Sequence, residues 1–126
     1  MAKQDTHETG VVRLKTRPQF LFVRGGRSER RKTLVVQARE RAGSNTIGAG
    51  FTATKKIGNA VIRNRAKRRL REAARHLLPL HGQVGTDYVF IARMETATIG
   101  WQRLLDDMES ALISHAQQVS AGTGPA

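Results

Sequence analysis

The sequence predicts a two-layer α/β (α+β) sandwich, with helices packed on one sheet, and three observations carry that expectation. Its 126 residues suffice for one core without metal or disulfide support, and set the expectation of a single domain. Apolar residues alternate at period two in some segments and recur at helical spacing in others, in the order short helix, strands, long basic helix, strand, acidic helix. Each long helical segment carries one apolar stripe that must be buried against another layer.

The elements follow in order. After a basic segment at residues 11–17 (VVRLKTR), Pro18 opens a short helix (PQFLFVR) that stops at Gly25 and Gly26. Residues 33–38 (TLVVQA) read as a strand, and Gly43, Ser44 and Asn45 form a turn cluster before a second strand over residues 46–55. That strand alternates imperfectly and contains Gly48 and Gly50, which suits a bulge or a close approach of another backbone. Gly58 and Asn59 introduce the basic helix, predicted to end near Leu78, before Pro79. A strand over residues 87–93 follows, in which Tyr88, Phe90 and Ile91 serve as core or edge residues. The last helix spans residues 98–115, with Trp101, Leu104, Leu105, Met108, Ala111 and Leu112 on one face and Asp106, Asp107 and Glu109 outside. Residues 1–10 and 119–126 read as mobile tails flanking a folded unit at 11–118.

Residues 55–75 (KKIGNAVIRNRAKRRLREAAR) hold nine Lys and Arg against the single acid Glu72, and so carry +8 of the chain's formal net charge of +12. On a helical wheel Ile62, Ala66, Leu70, Ala73, Ala74 and Leu77 form one apolar stripe, while Arg65, Lys67, Arg68, Arg71 and Arg75 spread over the other side. A charge run on a helix is usually just a solvated face. Here the acids that would pair at i+3 or i+4 are nearly all missing, Arg68 with Glu72 being the one obvious couple, with Arg75 able to share the same acid. Each like pair on adjacent turns opposes the helix by ~0.2–0.5 kcal/mol, a strain that a bound polyanion relieves. Val61 falls on the basic side, so either the regular helix starts later or Val61 packs on a neighbouring loop. Phe20, Phe22 and Phe51 are candidates for stacking on unpaired bases, with Arg13, Lys15, Arg17 and Arg24 near the first two. The plainer role for each Phe is core.

Other chemistries find little support. The absence of cysteine removes disulfides, thiolate nucleophiles and Cys-ligated metals. No apolar h-region and no membrane span are visible, which sets the expectation of a cytoplasmic protein without a membrane partner. His7, His76, His81 and His115 are scattered without carboxylates at metal-ligand spacing, and Asp106 with Glu109 reads as a solubilising pair. Neither a Walker loop nor a GxSxG elbow occurs. No catalytic residue and no metal ligand is expected.

The block KKIGNAVIRNRAKRRLRE closely resembles the signature of the bacterial ribonuclease P protein family, whose Arg-Asn-Arg motif corresponds to Arg63, Asn64 and Arg65. The similarity extends to an early segment with Arg13, Leu14, Lys15 and Phe20, to Gly50, Phe51, Lys55 and Lys56 before the helix, and to the strand at 87–93, covering about residues 13–112 in all. This resemblance implies a four-stranded sheet with three helices and a left-handed crossover carrying the basic helix, although such connections are almost always right-handed. It also implies a protein subunit, one per RNA, of a ribonucleoprotein that removes the 5′ leader from precursor tRNA. The catalyst there is the RNA, which requires Mg²⁺; no cofactor is held tightly by the protein. Lys55, Lys56, Asn59, Arg63, Asn64, Arg65, Lys67, Arg68 and Arg71 fall in the block implied to bind the RNA subunit. Phe20 and Phe51, with Arg13, Lys15 and Arg24, are implied to hold the leader. A second family aromatic is replaced by Arg24, and Phe22, offset by two and turned about 200° from Phe20, is expected to pack inward.

Composition alone leaves two rivals. A ribosomal component would be equally small, basic and free of cysteine, and a DNA-binding protein would lay the same helix in a major groove.

Overall fold

The computed structural model describes residues 10–122; of the expected tails, residues 1–9 and 123–126 lie outside the described residues. Five strands, β1 (Val11–Arg13), β2 (Arg27–Arg30), β3 (Leu34–Glu40), β4 (Ile47–Thr52) and β5 (Thr86–Ala92), combine with three helices, α1 (Arg17–Arg24), α2 (Ala60–His81) and α3 (Trp101–Gly122). The strands form one sheet in the order β1-β4-β5-β3-β2. β4 runs parallel to both β1 and β5, and β3 runs antiparallel to both β5 and β2. Helix α2 is thus the crossover between the parallel neighbours β4 and β5.

The sheet has five strands where the resemblance implied four, and the two that the residue pattern did not predict, β1 and β2, are its edges. VVR is too short, and RSER too short and too polar, to show period-two burial; their ladder partners β4 and β3 hold them extended. Other boundaries shift for local reasons. β4 ends at Thr52, because Lys55–Ile57 tightens into a 3₁₀ turn closed by the Ile57 N–H donating to the Thr54 carbonyl at 3.2 Å. Helix α2 passes through Pro79 to His81; Pro79 lies exposed in the last turn, and the Gly82 N–H donates to the Leu78 carbonyl at 2.8 Å. Helix α3 starts three residues later than expected, after turns that return to the Glu95 carbonyl, and continues to Gly122, past the expected tail boundary.

Period two divides the sheet into faces. Leu34, Val36 and Ala38 of β3, Ile47 and Ala49 of β4, and Tyr88, Phe90 and Ala92 of β5 meet α2 and α3 in the main core. Leu14, Val23 and Val89 form a smaller cluster under α1 on the opposite face. Burying a Leu such as Leu70, Leu104 or Leu112, all fully buried, contributes roughly 1.5–3 kcal/mol each, so the two long helices are fixed mainly through this layer. Gly48 and Gly50 accommodate side chains rather than another backbone, and the β4–β5 ladder runs through them without a bulge. A Cβ at Gly50 would stand 2.7 Å from Cε1 and Cζ of Phe20. Among the described residues no helix is long and apolar enough to cross a membrane.

Candidate nucleic-acid interface

Helix α2 is anchored on the apolar stripe read from its sequence: Ala66, Leu70, Ala73, Ala74 and Leu77 are buried, Leu78 joins them, and Ile62 packs at the margin. Its start is fixed by two residues. Gly58 adopts φ 147°, and a Cβ there would press on Ile62, so glycine is required by both conformation and space. Asn59 is the N-cap, its Oδ1 accepting from the Ile62 N–H at 3.0 Å. Asn59 therefore has a structural task besides any contact with RNA. Val61 lies in the first turn, so the helix does not start later, and it is 69% exposed rather than packed away.

The face opposite the stripe is open. Lys55, Lys56, Asn64, Arg65, Arg68 and Arg71 are exposed, and Arg63 and Lys67 are half-buried. Among the described residues Lys55, Lys56, Arg63, Arg65, Lys67, Arg68 and Arg71 have no ion-pair partner. The expected Arg68–Glu72 couple is not formed: Glu72 turns to Arg75 at 2.7 Å and to His76 at 3.3 Å. The Arg75 hydrogen bond is the main reason the Glu72 carboxyl titrates below its ordinary range.

Arg69 behaves differently from its neighbours. It donates to the Thr96 carbonyl at 2.6 Å and to the Ile99 carbonyl, and its guanidinium lies 5.9 Å from the Trp101 ring centroid. Burial, and then the like charge of Arg65, lower its pKa. It pins the β5–α3 connection to α2. Trp101, expected on the buried face of α3, instead stands 36% exposed at its first residue, beside this arginine.

A cleft of about 660 Å³ lies on the other side of the sheet. Its wall is α1 with the segment before it, through Lys15, Arg17, Phe20, Leu21 and Arg24, and its floor is Thr52, Thr54, Val89, Ile91 and Gln37. Helix α1 is held at its start by the Gln19 side-chain carbonyl, which accepts from the Lys15 and Thr16 N–H groups at 2.7 and 2.9 Å. The residues lining the cleft include three cations and no acid. Phe20 reaches over Gly50 onto the floor. Thr54, on the same floor, is followed at once by Lys55 of the basic block.

The leader residues implied by the resemblance do not all converge. Phe20, Lys15 and Arg24 line the cleft. Phe51 touches its margin, but its ring turns to the α2–α3 face, stacked on Phe90 at 5.4 Å between centroids, with Arg13 5.4 Å from its centroid. Phe51 and Arg13 thus belong to the opposite face from Phe20. Phe22 packs against the smaller core as expected, under the Arg39 guanidinium at 4.3 Å. Sequence reasoning missed Gln37, Leu21, Thr52 and Thr54. Gln37 was the findable one, as the only strongly polar side chain within the run Leu34–Ala38.

Known proteins resemble this chain in both sequence and fold. The family model described as ribonuclease P matches residues 10–116. The chain is 52% identical over 117 residues to a protein of Caulobacter vibrioides named ribonuclease P protein component, covering 92% of this chain and 78% of that one. A protein of the same name from Ruegeria pomeroyi is 48% identical over 107 residues, covering 82% and 86%. Among solved structures, the RNase P protein of Thermotoga maritima superposes with a TM-score of 0.69 at 26% identity, covering 82% of this chain and 96% of that one. That of Staphylococcus aureus gives 0.68 at 27% identity, covering 79% and 91%.

Proposed function

This chain belongs to the ribonuclease P protein family, and on that premise we propose that it is the protein subunit of a cytoplasmic endoribonuclease that removes the 5′ leader from precursor tRNA. Bond chemistry belongs to the RNA subunit and its Mg²⁺; one protein binds each RNA. The outer face of α2 docks on the catalytic RNA, and the cleft beside α1 holds the leader. One observation carries this reading: among the described residues seven cations without ion-pair partners stand on α2 and on the turn before it, and Thr54 links that turn to a cationic cleft whose lining residues include no acid. Neutralising crowded phosphates lets two RNAs approach. Gripping a leader that the product lacks favours precursor over mature tRNA, because only differential contact shifts such an equilibrium.

The test is mutational. Arg65→Ala and Arg68→Ala should weaken binding of the RNA subunit, and Phe20→Ala should reduce discrimination between precursor and mature tRNA. If all three cleaved precursor like the parent at limiting protein, these site assignments would fail.

A further inference from the structure

The ladder registers continue the cleft floor beyond the residues that line it. Thr52 pairs with Ile91, Ile91 with Val35, and Val35 with Arg30. Directly paired residues share a face of the sheet, so this row crosses four strands on the α1 side and ends on the edge strand β2. Arg30 there is exposed and without an ion-pair partner among the described residues. The alternate β2 residues turn the other way: Glu29 is buried, and its pairing partner Val36 lies in the main core. The acids of β2 and β3, Glu29 and Glu40, thus point away from the row, and the one acid on its side, Asp87, is buried and bonded to Arg41.

From this register we propose that the leader crosses the strands from β4 to β2 and leaves the protein over Arg30, which binds a leader phosphate upstream of those held in the cleft. This rests on the cleft being the leader site. The crossing spans three inter-strand spacings of about 4.8 Å, or about 14 Å. Arg24, at the end of α1, overhangs the same route, since it lines the cleft together with Gln37, whose partner on β2 is Ser28. The charge is therefore placed at both ends of an apolar and hydroxyl floor: Lys15 and Arg17 where the leader enters, Arg24 and Arg30 where it leaves.

The experiment measures affinity of the holoenzyme for precursor tRNAs whose leaders grow one nucleotide at a time. Arg30→Glu is compared with the parent and with Arg103→Glu, which makes the same charge change at an exposed position on α3. In the parent, affinity should rise with leader length to a plateau. Arg30→Glu should reach its plateau at a shorter leader and lower the log–log salt slope by about 0.7 for the long leaders, the contribution of one single-strand phosphate contact. The neutral Arg30→Gln should give the same shortened plateau. Equal responses to Arg30→Glu and Arg103→Glu would reduce the effect to net charge and overturn the proposal, as would an unchanged plateau position in a holoenzyme that still discriminates by leader. Loss of all leader dependence in the parent itself would instead overturn the cleft reading, and this inference with it.

Discussion

Single residues in the basic block divide between holding the fold and facing outward, and Asn59 does both. Its Oδ1 caps α2 through the Ile62 N–H, while it sits exposed among Lys55, Lys56 and Arg63. The two tasks separate by substitution. Asn59→Ala removes the cap and should lower stability by about 1 kcal/mol in urea denaturation. Asn59→Asp keeps a cap acceptor and adds a negative charge that the helix N-terminus favours, so it should match the parent in stability but bind the RNA subunit more weakly. Equal RNA affinity for Asn59→Asp and the parent would remove this residue from the interface. Arg69 shows the opposite allocation, with both ends of its guanidinium engaged by the Thr96 and Ile99 carbonyls; the helical wheel leaves it off the outer face but does not reveal these partners.

Among the elements, α2 was legible because two independent patterns overlie one another. The apolar stripe and the missing acids are both properties of the helix itself, and both are found as read. Edge strands β1 and β2 were not legible: β1 takes its extended form from β4, a partner distant in sequence, and β2, although it pairs with the adjacent β3, is too short and polar to show period two. The face of Phe51 was legible in part: period two alone groups it with Ile47 and Ala49 across Gly48 and Gly50, whereas its pairing with Phe20 came from the family resemblance. Helix α3 carries a further consequence. His115 is 98% buried, stands edge-on to Tyr88 at 5.8 Å, and has no hydrogen-bond partner at either ring nitrogen among the described residues. Burial first, and then the Arg27 charge, against Glu29 and Glu40, lower its pKa. The unfolded chain therefore takes up this proton more readily than the folded one. Its contribution to stability is complete above the unfolded pKa of about 6.5 and is lost progressively as pH falls below that value and through the lower folded pKa. Thermal denaturation should show a steeper loss for the parent than for His115→Phe between about pH 7.5 and pH 5. Parallel profiles would mean that His115 does not gate acid stability.

Taken as a whole, the molecule is polarised. Residues 55–75 carry +8 of its net +12, while the acids of α3 are engaged locally: Asp107 with Arg103 and Thr33, Asp106 with Gln102, and Glu109 with His81 of α2. A polyanion approaching from any direction is thus steered toward α2 and the cleft mouth beside it. The described residues present no grouping of three or more His, Asp or Glu side chains that could hold a metal ion. In the proposed function this protein promotes cleavage by positioning two RNAs. The most direct measurement is cleavage of a 5′-extended precursor tRNA at low Mg²⁺ by a cognate ribonuclease P RNA, with and without the protein. Leader release should depend on the protein in the presence of the RNA and be absent with protein alone; no stimulation of the cognate RNA would mean that the protein is not its auxiliary subunit.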